Sequence, residues 1–457
     1  MRPSLHPLRL ALVALLSLGA LAFAAADAAL ADEAAPPLTL SAAVERALGR
    51  YPAVAAARSR LAEATEAAGE IAASRGPMLK VNAQALGYDD PMLTSPIHSF
   101  RPADIPPFSE TIVQGSLNVA YTLIDSGANR ERTRQAAAQE ATAGAALSTT
   151  EQAIAARVAT AYAGALARAE ILAAQQARVA ALGLELDRAR QLFAAGKAAE
   201  VDTLRADAAL AAAEAEQTRA AGALDGSERD LARLLQAEPE ETRAGRLAPW
   251  ASPAPLLDSR AALQERAVAA GPAVEQARQQ IAVAEAARAL ARSAYFPKLD
   301  LVGAVQEFRE GGSDYTTDWN AGVQVVVPIW DGGQTGRRVA RASAQRDTAT
   351  AMLEQSELDA REAVDRAWNT LADSAARAEA LARAADRLGE VARVQRLLLE
   401  VGAGTQVDYL AAEAELAATR ASASEARTAT LLSRVELARL AGELSPDWFR
   451  RTLEAAP

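Results

Sequence analysis

A chain of 457 residues, half of them apolar but only 4% aromatic, favours narrow helical seams over one bulky globular core. Its formal net charge of -10 excludes a general nucleic-acid binder, which needs clustered Lys and Arg. Cysteine is absent, so thiolate chemistry and disulfides have no residues to work with, and the two histidines, His6 near the start of the chain and His98 in a proline-rich stretch, argue against a His-based metal or catalytic constellation. No catalytic residue, cofactor site or metal site is predicted.

Residues 1–31 read as a secretory signal. Arg2 and Arg9 precede an apolar run from Leu10 to Phe23, and small-x-small triplets end at Ala24, Ala26 and Ala31. The run is shorter than the roughly 20 residues of a spanning helix, so the expectation is a cleaved leader.

The rest is a duplication. "YPAVAAARSRLAEA" from Tyr51 aligns with "GPAVEQARQQIAVA" from Gly271 at an offset of 220, which also carries Pro77 onto Pro297. The offset then becomes 206: Asp125-Ser126-Gly127 falls on Asp331-Gly332-Gly333, Gly196 on Gly402, and Val201-Asp202 on Val407-Asp408. The 14-residue difference lies between positions 81 and 125 of the first copy, where "DDPMLTSPIHSFRPADIPPF" predicts a long proline-rich loop. The copies span 32–237 and 258–442, separated by a linker, 238–257, and followed by a C-terminal segment, 443–457.

Each copy predicts a helix, two strands, a long helix, a tight turn and a last helix. In the first copy the helices cover about 40–76, 128–193 and 199–236; the second long helix covers 334–400. The long segments are on the order of 100 Å at about 1.5 Å per residue. Leu172, Val179, Leu182, Leu186 and Phe193 mark one heptad seam, and Leu381, Leu388, Val391 and Leu398 the other. Beyond the turns the seams continue as Val201, Leu204, Ala208, Ala211 and Ala215, and as Val407, Leu410, Ala414, Ala417 and Ala421. The shorter helices, end to end, can flank each long one.

The strands alternate strictly. Leu79, Val81, Ala83 and Ala85 alternate with Lys80, Asn82 and Gln84 within 79–88, and Val113, Leu117, Val119, Tyr121 and Leu123 with polar residues within 112–123. In the second copy Leu299, Leu301, Gly303 and Val305 share an apolar side with Trp319, Ala321, Val323, Val325, Val327 and Ile329. Runs of about ten residues match tilted transmembrane strands. Four strands cannot close a barrel, and hydrocarbon does not tolerate an open edge. Three copies would supply twelve strands, within the range of outer-membrane barrels. The predicted fold is therefore mainly α with membrane β: a long coiled-coil helical barrel plus a transmembrane β-barrel completed by trimerisation, four strands per protomer. Pro328, Trp330, Asp331, Gly332 and Gly333 form a strand-to-helix junction, with Asp125 and Gly127 as its counterpart. Pro328 ends the ladder, Trp330 suits the membrane interface, Asp331 caps the helix and the glycines allow the bend.

"LTLSAAVERAL" at Leu38, "VPIWDGG" at Val327 and "EVGAGTQVDYL" at Glu400, in this order around a duplicated helix-strand-strand-helix unit, make the chain resemble the TolC-type outer-membrane efflux and export channel family. The resemblance implies a homotrimer in outer-membrane lipid, extending into the periplasm and working with a periplasmic adaptor and an inner-membrane pump or ABC exporter. It implies a passive exit duct for small toxic compounds or an exported polypeptide. The absence of cysteine places the chain outside the lipid-anchored branch. The linker and the C-terminal segment would form an equatorial belt. Asp408 matches a position where family members often carry an inward acid, giving Asp408 and its repeat counterpart Asp202 as a candidate entrance ring; helix capping is the competing role for both. Gly196, Val201, Gly402, Thr405 and Val407 are candidate tip residues for adaptor contact, the two glycines as positive-φ turn residues. Ala411 and Gly404 stand where a second acid and a basic latch residue are sometimes found, which argues against a latched two-ring gate. The competing class is a soluble periplasmic coiled-coil scaffold or adaptor. An enzyme is disfavoured because the carboxylates are spread along heptad faces.

Overall fold

Proline sets the start of three helices, at Pro52, Pro272 and Pro446. The residue before a proline is pushed out of the α region, while proline itself fits the first helical turn. In the computed structural model, which describes residues 37–93, 108–251, 258–309 and 315–454, α1 (Leu40–Arg50) and α2 (Pro52–Ala73) are separated by Tyr51 at φ -69, ψ 128. In the second copy α5 (Arg260–Ala270) and α6 (Pro272–Ser293) are separated by Gly271 at φ -61, ψ 129. The single helix expected over 40–76 is thus two helices, ending at Ala73. The predicted leader and its cleavage sites, His98, and residues 252–257 of the linker lie outside the described residues.

Between them run α3 (Ala128–Ala194), α4 (Glu200–Leu235), α7 (Gln334–Glu400) and α8 (Gln406–Leu440), with α9 (Pro446–Leu453) last. The two long helices, 67 residues each, lie within one residue of their expected bounds. Both α2 and α4 pack along α3, and both α6 and α8 along α7, while α3 also touches α6 and α8. The helices therefore form one layer, ordered α2-α3-α6-α7 at one end and α4-α3-α8-α7 at the other.

The predicted seams are only partly the buried ones. Leu182 and Leu186 are buried on α3, but Phe193 is exposed. On α4, Ala206 and Ala213 are buried while Val201 and Leu204 are 47% and 61% exposed; Ala208, Ala211 and Ala215 are exposed too. On α8 the covered side chains are Tyr409, Ala412, Leu416 and Ala417, and Val407 is exposed. Alanine on every face lets the closest helix approach choose the seam, and on α4 it passes over the larger Val201 and Leu204.

The four strands are β1 (Met78–Leu93), β2 (Phe108–Ile124), β3 (Lys298–Arg309) and β4 (Tyr315–Val326), in the order β1-β2-β3-β4. All neighbours are antiparallel, and the register aligns like with like. Val81, Leu117, Val305 and Trp319 form one cross-strand row, and Leu79, Val119, Gly303 and Ala321 the next. The row on the other side of Val81, made of Asn82, Ser116, Gln306 and Asp318, lies on the opposite face. Strands of 16, 17, 12 and 12 residues exceed the expected ten. Asp89 to Leu93 and Phe108, assigned to the loop from sequence, belong to the strands: after an irregularity following Gly87, pairing resumes at Met92–Ser109 and Leu93–Phe108. Pro91 is tolerated there because β1 is an edge strand. Conversely, Val327 and Ile329 lie past the ladder, which ends at Val326 opposite Lys298. Pro297 and Pro328, which lack N–H donors, bound it on both strands.

Midway along the layer sits the largest core. Leu40, Val44 and Val54 pack against Val158, Tyr162, Leu231, Leu431, Val435, Leu247 of the linker, and Phe449 and Leu453 of α9. Leu38 pairs with Leu247 in a parallel bridge. The buried Tyr162 hydroxyl donates toward the carbonyls of Leu38 and of Ala248, the residue after Leu247, at 2.7 and 2.6 Å, so both segments of this bridge are tied to α3. Burial raises the Tyr162 pKa, which keeps it a donor. Arg46 forks onto Glu241 at 2.6 and 3.3 Å and holds that carboxyl below its usual range. Tyr162→Phe should cost about 1–3 kcal/mol by leaving a buried carbonyl without its donor, read as a lowered unfolding midpoint of the purified protein.

Candidate functional site

The sites named from sequence fall at two places: the hairpin turns at one end of the layer and the strand-to-helix junctions at the other. The turns have equal length, 195–199 between α3 and α4 and 401–405 between α7 and α8. Each closes its long helix in the same way. The N–H of Gly196 donates to Phe193 and that of Lys197 to Leu192, at 2.9 and 2.8 Å; Gly402 donates to Leu399 and Ala403 to Leu398, at 3.2 and 2.9 Å. Gly196 at φ 68 and Gly402 at φ 77 occupy the left-handed position that this closure requires.

The second helices start differently. Thr405 caps α8: its Oγ1 accepts from the Asp408 N–H at 3.2 Å, and its hydroxyl donates to the Asp408 carboxylate at 2.7 Å. Asp408 is thus the third residue of the helix, exposed, with its carboxylate turned back to the cap. Ala199 takes the capping position of α4 without a side-chain bond, and Asp202 has Arg205 3.9 Å away. Neither aspartate is therefore the capping residue weighed from sequence; in each case the cap lies three residues earlier. Both sit in a first turn, where the helix dipole favours an anion.

A set of residues not singled out from sequence joins the two hairpins here. Glu185 on α3, 8% exposed, accepts from the Gln406 amide at 3.0 Å and lies 3.5 Å from Arg188. The Arg188 guanidinium donates to the carbonyl of Leu399 at the C-terminal end of α7, where a cation is favoured. Glu185, Arg188, Asp202, Gly404, Thr405 and Gln406 line one recess of about 280 Å3, so the structure brings Asp202 and Thr405 together and leaves Asp408 outside. Gly404 belongs to this closure, since a Cβ there would stand 2.9 Å from Leu398 Cβ and 3.2 Å from Leu399 N. That contact leaves little room for a side chain at Gly404. Beneath Asp408, Tyr409 is buried and its pKa is pushed up to about 12, chiefly by burial and then by Glu413. The available signal for the clasp was Glu185 standing between Leu182 and Leu186 on the seam. Val201 and Val407 are exposed beside it.

At the other end β2 and β4 lead into α3 and α7. Asp125 accepts the N–H groups of Gly127 and Asn129 at 3.1 and 2.5 Å. Asp331 accepts those of Gly333 and Thr335 at 3.0 and 2.8 Å. Gly127, Gly332 and Gly333 all have positive φ, at 87, 70 and 82, and Ser126 takes the place of Gly332 at φ 54. Hydrogen bonds from Thr335, then Gly333, hold the Asp331 carboxyl below its usual range. Pro328 stands between ladder and cap, and Trp330 is 86% exposed.

Arg188→Ala should accelerate amide exchange through 401–408 by tenfold or more while leaving 160–170 unchanged, read by mass spectrometry. A depressed folded-state pKa makes the Asp331 cap fully effective above the unfolded value and lost as pH falls through the folded one. Amides 333–335 should therefore be less protected in Asp331→Asn at neutral pH, with the difference vanishing in acid.

The outer membrane efflux protein family matches residues 43–236 and 263–443. The alkaline protease secretion protein AprF of Pseudomonas aeruginosa is 25% identical over 294 residues, 63% of this chain; the match spans 61% of that relative's length. Among solved structures, VceC of Vibrio cholerae superposes with a TM-score of 0.73 at 19% identity, covering 88% of this chain and 96% of VceC. The outer-membrane channel OprN gives 0.74 at 22%, covering 89% and 90%. CmeC, an outer membrane channel of Campylobacter jejuni, gives 0.70 at 16%, covering 89% and 86%. These structures share the fold, four antiparallel strands per chain on long helices, and the family match spans both repeats: the chain belongs to the outer membrane efflux protein family.

Proposed function

We propose that three copies of this chain form an exit duct through the outer membrane, a twelve-stranded barrel continued by a helical tunnel into the periplasm. The observation that carries this reading is the sheet. Its apolar face is left bare by the helices, with Val81 78% and Trp319 71% exposed, and its edges β1 and β4 have no partner strand among the described residues. An apolar band outside and a polar lumen face inside is the pattern of outer-membrane barrels. A soluble scaffold would leave that band in water, a patch soluble proteins avoid.

In this reading residues 1–31 direct export and are cleaved, and no acyl anchor is attached. The hairpin turns, with Gly196, Val201, Gly402, Thr405 and Val407, meet a periplasmic adaptor. An inner-membrane pump or ABC exporter supplies the energy. Asp408 and Asp202 give the entrance an acidic rim in three-fold copy, and the clasp of Glu185, Arg188, Gln406 and Leu399 keeps the two hairpins of each protomer together there. The duct performs no chemistry. The likeness to AprF, an alkaline protease secretion protein, favours a secretion system with polypeptide cargo, with small toxic compounds as the alternative cargo.

Leu117→Arg places a charge in the apolar band at a cost of about 2–4 kcal/mol near mid-membrane. It should abolish the detergent-resistant trimer recovered from outer membranes, while Ser116→Arg, on the opposite face, should preserve it. Equal recovery of both variants, or release of the wild type by osmotic shock, would refute the duct.

A further inference from the structure

Where the sheet meets the helix layer, a recess of about 890 Å3 opens between the bases of the strands and the ends of α3, α6 and α7. Its sheet wall includes Thr122 and Lys298, both on the polar face of the sheet. Its helical wall includes Arg132 of α3 and Arg338 and Arg341 of α7. Lys298 is paired with Asp300 at 3.0 Å. Asp125, the only lining carboxylate, is committed to the N–H groups of Gly127 and Asn129. Arg132 donates to the neutral amide oxygen of Asn129 at 2.7 Å. Among the described residues Arg132, Arg338 and Arg341 form no ion pair, in a chain rich in arginine-carboxylate pairs and of net charge -10.

Arg132 is the fifth residue of α3, and Arg338 and Arg341 are the fifth and eighth of α7; all three are exposed and stand near the two helix N-termini but past the first turn, where the dipole has little hold on them. The same two N-termini add positive potential to the recess, opposed by the C-terminal end of α6 at Ser293. Guanidinium forks, held apart on two helices around an open volume, match an oxyanion that accepts several hydrogen bonds.

We propose that this recess is an anion-binding site of the tunnel wall, taking small polyvalent oxyanions of the phosphate type through Arg132, Arg338 and Arg341. The tunnel-wall location rests on the duct reading, since it takes the polar sheet face as the lumen; the binding itself does not. In a trimer the site repeats three times just below the barrel and concentrates anionic groups there, opposite in sign to the acidic rim at the entrance.

Isothermal titration of the detergent-purified wild type with inorganic pyrophosphate tests the site, alongside Arg338→Gln/Arg341→Gln and the control Arg387→Gln on an exposed stretch of α7. Expected is salt-sensitive binding by the wild type and the control, weakened at least tenfold in the double variant. Arg338→Lys/Arg341→Lys should be intermediate and covers the case in which the glutamine variant fails to fold. No binding by the wild type, or equal affinity in the wild type and the double variant, overturns the proposal. If instead anionic lipid co-purifies with the wild type but not with the double variant, and pyrophosphate does not bind, the arginines hold headgroups and the tunnel site is wrong. Conductance measured in parallel separates the two readings: a conducting protein that ignores pyrophosphate refutes the recess alone, and a pyrophosphate-binding protein that never conducts refutes the duct alone.

Discussion

A backbone N–H or C=O facing hydrocarbon has no water to turn to, so every strand edge within a membrane must find a partner strand. That constraint organises this molecule. The four-stranded sheet pairs its interior ladders with one register shift each in β1–β2, after Gly87, and β2–β3, after Thr122, and leaves the outer edges of β1 and β4 without a partner among the described residues. Register matters as much as pairing: rows such as Val81, Leu117, Val305 and Trp319 put all their apolar groups on one face, and a slip of one residue would send them to the other. The helices provide no cover for that face. A sheet with one apolar face and two open edges is complete only as part of a larger cylinder.

The helical part follows from the sheet. Each strand adjoins one helix, α2 before β1, α3 after β2, α6 before β3 and α7 after β4. The helix order at the sheet end therefore repeats the strand order. The Asp-capped, positive-φ junctions after β2 and β4 let a strand change into a helix within a few residues without orphaned N–H groups. Away from the sheet α4 and α8 replace α2 and α6 against the long helices. The changeover is filled by the core around Tyr162, where the linker and α9 pack. At the far end the clasp through Glu185 and Arg188 ties one repeat to the other, so the two hairpins are not independent rods.

Much of this was legible in the sequence, for physical reasons. The long helices and the turns announced themselves by glycine and proline placement, and the sheet by strict alternation, because those signals are local. Boundaries were less legible. Tyr51 and Gly271 break helices only because a proline follows, and the ladder past Gly87 depends on β2 lying opposite. The seam of α4 was misjudged: Val201 and Leu204 have the greater hydrophobicity, yet Ala206 and Ala213 are buried, since with alanine on all sides periodicity does not mark one face. The clasp was not legible, because Glu185 and Gln406 are 221 positions apart and are joined only by folding. Asp202 and Asp408, equivalent by repeat, differ because a threonine caps one helix and an alanine the other.

The central claim is that β1 of one copy pairs with β4 of the next. The natural chain has no cysteine, so engineered pairs report without background. Val81→Cys, combined in turn with Thr317→Cys, Trp319→Cys, Ala321→Cys and Val323→Cys, should give covalent dimers and trimers on oxidation in outer membranes for at least one register. Monomers alone in every combination, with the protein correctly inserted, would contradict closure of the barrel between copies.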